Sequence, residues 1–127
     1  MRVMATMGSI LRRMGRLDDA VDQLIEALHE CREVNNPRPT AQVLNALGEA
    51  YHDRGDDDLA LVRHTEAVSL ADQCGDRLEA QRALVGVGDA HAGMGDADRA
   101  RQSWRRAYRF YSNARLPAAA RVRARLS

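Results

Sequence analysis

Apolar residues recur at three- and four-residue spacing along most of the chain, and Gly, Asn and Pro interrupt the pattern at regular intervals. Between Ala20 and Cys31 the apolar set is Ala20, Val21, Leu24, Ala27, Leu28 and Cys31, which is the stripe of an amphipathic helix. The interruptions divide the chain into seven predicted helices. The first runs to about Arg13; the others span about Leu17–Val34, Pro37–Arg54, Asp57–Cys74, Arg77–Met94, Ala97–Asn113 and Pro117–Leu126.

The pattern repeats with a period of forty residues. Five columns are identical in three copies: Gly8/Gly48/Gly88, Gly15/Gly55/Gly95, Asp18/Asp58/Asp98, Ala20/Ala60/Ala100 and Ala27/Ala67/Ala107. With Gly at about 7% of average composition, an all-Gly column arises by chance roughly three times in ten thousand. Two of them, seven residues apart, define a repeat.

Each column has a physical reading. Glycine within a helix costs about 1 kcal/mol against alanine, so Gly8, Gly48 and Gly88 are expected at close helix crossings, with Ala20, Ala60 and Ala100 meeting the gap from the other side. On that reading Gly48→Leu overpacks the crossing and Gly48→Ala is far milder. Gly15, Gly55 and Gly95 suit left-handed C-caps. Asp56, Asp76 and Asp96 suit N-caps, with Glu79 placed to complete a capping-box pair with Asp76. Asn36 can cap the third helix ahead of Pro37 at its first position.

These columns resemble the tetratricopeptide repeat: Met4-Met7-Gly8-Leu11…Ala20-Leu24-Ala27, then Leu44-Leu47-Gly48-Tyr51…Ala60-His64-Ala67, then Leu84-Val87-Gly88-His91…Ala100-Trp104-Ala107, matching large-x-x-Leu-Gly-x-x-Tyr followed by Ala, aromatic and Ala. The likeness covers about residues 1–114. The long period is similar to that of kinesin light chains, LGN/Pins-type adaptors and bacterial regulators. The resemblance implies an all-α, right-handed α-solenoid of three antiparallel helix pairs plus a C-terminal helix. It would form one domain over residues 1–127, with repeats at about 1–36, 37–76 and 77–116 and, at 117–126, a capping helix or the truncated start of a fourth repeat, Pro117 being in register with Pro37. The first helix starts with no N-cap before it, as expected of a fragment or of a chain starting at a repeat boundary.

Composition narrows the function. Hydrophobic residues make up 45% and aromatics 4%, so Leu, Val, Met and Ala must build the core. No run of eighteen apolar residues occurs, which argues against a membrane span, and no signal peptide is apparent. Cys31 and Cys74 form no paired motif, as expected of free thiols in the cytoplasm. All nineteen basic residues are arginine, a bias expected of a GC-rich bacterial genome.

No phosphate loop, zinc pair or nucleophile elbow is present, so no catalytic, metal or cofactor residue is assigned. His64 shares a column with Leu24 and Trp104, and His91 with Leu11 and Tyr51, so both read as core positions. His52 and Asp53 point about a hundred degrees apart on a helix, which argues against a catalytic pair. The aromatic cluster Trp104, Tyr108, Phe110 and Tyr111 reads as core and cover for the last helix.

The resemblance implies a concave groove lined by the first helix of each pair and holding a protein or peptide. Its candidate residues are Arg2, Ser9, Arg12, Gln42, Asn45, Glu49, His52, Arg82, Val85 and Asp89. The family's carboxylate clamp is not carried over, since only Asn45 and Arg82 approach it. Charge is divided: residues 1–98 hold ten Arg and eighteen acids, whereas residues 99–127 hold nine Arg and no acid. Arg101, Arg105 and Arg109 form a basic stripe.

The leading expectation is a non-catalytic protein-interaction module, the repeat portion of a larger bacterial regulator or adaptor. The alternatives are a ligand-sensing domain of a transcriptional regulator, or binding of nucleic acid or an acidic partner by the Arg-rich end. Nucleic acid is disfavoured because the acidic bulk repels a long polyanion. Self-association is expected through exposed terminal helices, with Met4, Met7, Ile10 and Leu11 forming an uncovered apolar face.

Overall fold

Among the described residues seven helices follow one another: α1 Arg2–Arg13, α2 Leu17–Glu33, α3 Pro37–Arg54, α4 Asp57–Cys74, α5 Arg77–Gly93, α6 Ala97–Asn113 and α7 Ala118–Leu126. The computed structural model describes residues 2–127, with side chains from Met7 onward. Among the described residues there is no strand and no helix long and apolar enough to cross a membrane.

The chain reverses every twenty residues, where one residue takes positive φ: Gly15, Asn35, Gly55, Gly75, Gly95 and Arg115. A left-handed residue lets the following amide turn back onto the helix it has just left. Arg16 N–H thus donates to the Leu11 carbonyl at 2.9 Å, Asp56 to Tyr51 at 2.8 Å, Asp96 to His91 at 2.8 Å and Leu116 to Tyr111 at 2.9 Å. Glycine enters this conformation without strain. Arg115, at φ 56°, costs roughly 1–2 kcal/mol there.

Two caps differ from expectation. Asp96 and Asp76 accept from the backbone amides of Arg99 and Glu79, but Asp56 makes no side-chain cap bond because Arg54 Nε holds its carboxylate at 2.7 Å. The Asn36 side chain also leaves its helix uncapped. The Glu79 side chain does not turn back to Asp76; it reaches Asn45 on α3.

Consecutive helices pack in antiparallel pairs. The first helices also touch across a repeat, α1 on α3 and α3 on α5, whereas the second helices hardly meet. The array is therefore an α-solenoid with α1, α3 and α5 on its inner side and α2, α4 and α6 on its outer side. Leu24, Leu44, Leu47 and Val43 with a ring of alanines fill the core. A second cluster joins Leu84, Tyr111 and Val122 under Trp104, Tyr108 and Phe110, seating α7.

The glycine column marks crossings, but the alanine column does not fill them. A Cβ at Gly8 would lie 2.5 Å from Leu24 Cγ, one at Gly48 2.5 Å from His64 Nε2, and one at Gly88 would strike the Trp104 indole. The large residue sixteen positions on enters the hole. His64 also meets a second glycine, Gly86 on α5, so its ring is clamped between two backbones. A methyl group at Gly48 has nowhere to push the ring, and Gly48→Ala cannot be mild.

At the N-terminal end Leu11 is buried, while Met7 and Ile10 are 45% and 43% exposed; Met4 lies outside the described side chains. In α3 the Met7 and Ile10 columns hold Leu47 and Ala50, both covered by the preceding pair.

Candidate functional site

The inner helices and α7 enclose a groove of ≈ 660 Å³, within the range of about 300–1,000 Å³ usual for ligand sites. Six expected residues line it: Arg12, Glu49, His52, Arg82, Val85 and Asp89. Ser9 and Gln42 are half-buried on their helices but do not reach it. Asn45 is fully buried, beneath the floor rather than on it. Arg2 lies outside the described side chains. Arg101, Arg105 and Arg109 are exposed on α6, on the outer side.

The groove walls are joined by arginine–carboxylate pairs between successive inner helices. Arg12 Nη1 donates to Asp53 Oδ2 at 2.8 Å, linking α1 to α3. Arg82 grips Glu49 with two bonds, Nε to Oε2 at 2.9 Å and Nη2 to Oε1 at 2.7 Å, linking α5 to α3. Arg125 grips Asp89 likewise, at 2.8 and 3.2 Å, linking α7 to α5, and Trp104 Nε1 donates to the same carboxylate at 3.1 Å. Planar, bidentate geometry makes the last two links stronger than ordinary surface pairs. Burial pushes the Glu49 carboxyl up, but the bonds and charge of Arg82 outweigh it and hold it below the usual range. Burial also disfavours the Arg82 cation, and Glu49 more than restores it.

Beneath this ladder lies a polar floor. Asn45 Nδ2 donates to the Glu79 carbonyl at 3.1 Å and to its Oε2 at 2.8 Å. Those bonds fix the amide, so Asn45 Oδ1 accepts from His64 Nδ1–H at 2.9 Å. The tautomer follows: Nε2 carries the lone pair. Burial lowers the His64 pKa to about 4, so the ring is neutral at pH 7. It reaches the groove beside Gly86, and Nε2 has no protein partner among the described residues.

His52 pairs with Asp57 through Nδ1, not with its neighbour Asp53. Two lining groups remain without an ion pair or hydrogen bond among the described residues, the Arg121 guanidinium and the Tyr111 hydroxyl. Burial raises the Tyr111 pKa, with Glu79 adding to the shift, so the hydroxyl keeps its proton to donate.

Sequence reasoning missed His64, Glu79, Gly86, Tyr111 and the α7 residues. A signal for α7 existed. Val122 and Arg125 lie forty residues after Arg82 and Val85, so the register alone makes α7 the inner helix of a fourth unit.

A family model described as tetratricopeptide repeat matches residues 1–73 and 39–113. No curated protein sequence matches. Among solved structures, the chain is similar to the TPR domain of Arabidopsis FLU, with a TM-score of 0.82 at 14% identity over 87% of this chain and 93% of that one. At that identity the likeness speaks for the fold alone.

Proposed function

The chain belongs to the tetratricopeptide repeat family, and from that premise we propose that it is a non-catalytic module holding a peptide or helix of a protein partner in its inner groove. Repeats of this family are in general protein–protein interaction modules. The observation that carries the reading is the state of the groove's polar groups. Its carboxylates are engaged by arginines or by Asn45, while the Arg121 guanidinium and the Tyr111 hydroxyl remain open to a ligand. Arg121 and Tyr111 suit an acidic group of the ligand. The role of repeat portion in a larger bacterial regulator or adaptor, acting in the cytoplasm, belongs to the same proposal.

The test is selection from a displayed random-peptide library against the chain, followed by titration of the selected peptides. Binding is expected to weaken at least tenfold in Arg121→Glu and in Val85→Arg, which obstructs the wall, and to be unchanged in Gln102→Glu on the outer side. Peptides that bind both groove variants as tightly as the parent would overturn the reading.

A further inference from the structure

The outer face carries a pattern that the groove does not use. Its three helices present neighbouring columns with different chemistry. On α2 the exposed residues include Asp22, Glu26 and Glu30, an i, i+4, i+8 stripe without an ion pair among the described residues. On α6 Arg101, Arg105 and Arg109 form a stripe of equal length; Arg101 leans on Asp98 at 3.7 Å, and Arg105, Arg106 and Arg109 have no ion pair among the described residues. Between them α4 exposes neutral Thr65 and Ser69 with Leu59 and Val62, 39% and 49% exposed. Glu66, in the same helix, is already neutralised by Arg32 and Arg63. Asp58 and Asp72 are exposed toward the two ends of α4, and between Leu59 and Ser69 the face runs acidic, neutral, basic across three parallel elements.

Like charges at i, i+4 repel along each stripe, and among the described residues only Arg101 has an ion-pair partner. A second copy relieves them. Rotated by a two-fold axis over α4, its basic α6 lies on the acidic α2 of the first copy, and the reverse contact forms at the same time. Such an isologous interface requires a surface complementary to itself. The register permits it: the acidic stripe centres on Glu26 and the basic one on Arg105, which correspond to Glu66 and Thr65 on α4, adjacent positions. With the axis running along α4 there, α4 packs on its own copy parallel, bringing Val62 of one copy toward Val62 of the other. Three helices about 25 Å long, splayed because the second helices hardly meet, touch a copy along their ridges and offer less than the ~800 Å² per partner of a standard interface.

We propose that two copies of this chain pair back to back through the outer faces of α2, α4 and α6, leaving both grooves open. The footprint and the charge content make the dimer weak and salt-sensitive. The proposal stands independently of what the groove binds.

Sedimentation of the full chain at high micromolar concentration tests it. The expected result at low salt is a species of twice 14.1 kDa that dissociates at high salt. Arg105→Glu, Arg106→Glu, Arg109→Glu together should give a monomer, and so should Asp22→Arg, Glu26→Arg, Glu30→Arg; mixing the two variants should restore a dimer. These positions are exposed, and each variant is checked for the parent's helical melt. If a triple variant fails to fold, Thr65→Cys in a Cys74→Ser background is decisive: a cysteine beside the axis should link two copies under mild oxidation at low salt and not at high salt. A monomer at low salt overturns the proposal. So does salt-insensitive association abolished by Met7→Asp and Ile10→Asp, which would place the contact at the N-terminal face. Open-ended growth of the oligomer, meaning head-to-tail contact, also overturns it, as does tight duplex DNA binding at physiological salt that is lost with the Arg stripe.

Discussion

The crossing of α1 with α2 and the crossing of α3 with α4 are the same piece of architecture filled in opposite ways. Gly8 admits Leu24, which is fully buried among aliphatic neighbours; Gly48 admits His64, equally buried but bonded to Asn45. The Asn45 column holds Ala5 in the first unit and Val85 in the third, so the first crossing has no polar partner to offer. The repeat thus demands a hole and a side chain to fill it, and leaves the polarity open. Where the filler is polar it must be satisfied, and satisfying it recruits Asn45 and Glu79 and so ties the second pair to the third. The apolar crossing is closed upon itself. The polar one joins two units and supplies the floor of the groove.

Three substitutions or conditions break or sharpen this contrast. The largest effect is expected from Gly48→Leu. The ring it would displace is clamped by Gly86, so overpacking should cost about 4 kcal/mol, above the usual range, with Gly48→Ala near 2 kcal/mol. Denaturant melts measure both; equal stability of parent and Gly48→Leu would remove the close crossing from the fold.

Acid is the next lever, and it should act on the second crossing alone. Unfolded, His64 takes up a proton near pH 6.5; folded, only near about 4. Between those values the unfolded chain holds the extra proton, so stability is full above the upper value and falls as pH drops toward the lower one. The loss approaches about 3 kcal/mol, at 1.36 kcal/mol per unit. His64→Leu, which copies the first crossing, should remove this component. A pH profile unchanged by that substitution would mean that the imidazole is not held neutral in the interior.

The smallest effect is expected from Asn45→Ala. It leaves His64 Nδ1–H and the Glu79 carboxylate without their bonds to the amide, at a cost of about 2 kcal/mol. The double variant Asn45→Ala, His64→Leu should recover part of that loss. Additive losses in the double-mutant cycle would mean that the two residues are not coupled.

Much of this molecule is legible along the chain. The helix boundaries match to within one or two residues, and the turns at Gly15, Gly55, Gly75 and Gly95 are marked by the residue that enters positive φ most easily. Asn35 and Arg115 take the same conformation; Asn35 falls in the marked Asn-Asn-Pro break, and Arg115 is found only from the twenty-residue spacing. The groove was half legible. Arg12, Glu49, His52, Arg82, Val85 and Asp89 follow from the register of the inner helices. Asn45 was misplaced because adjacent inner columns differ by rotation about the helix axis, and that rotation is set by packing. Asp56 was misread because a carboxylate free to cap in isolation is claimed by Arg54.

By itself the sequence determined the number of helices, their lengths, the positions of the reversals and the columns where helices cross. All of these rest on interactions within a few residues: apolar periodicity, backbone conformation and the ends of helices. Tertiary structure alone decided that Leu24, His64 and Trp104 rather than Ala20, Ala60 and Ala100 enter the glycine holes. It also decided that Arg12 meets Asp53 and Arg82 meets Glu49, over separations of 41 and 33 residues, and that α7 closes the groove. The physical reason is that a charge or a hole in one helix has several possible partners at similar spacing in the next. Only the relative rotation and approach of the packed helices chooses among them.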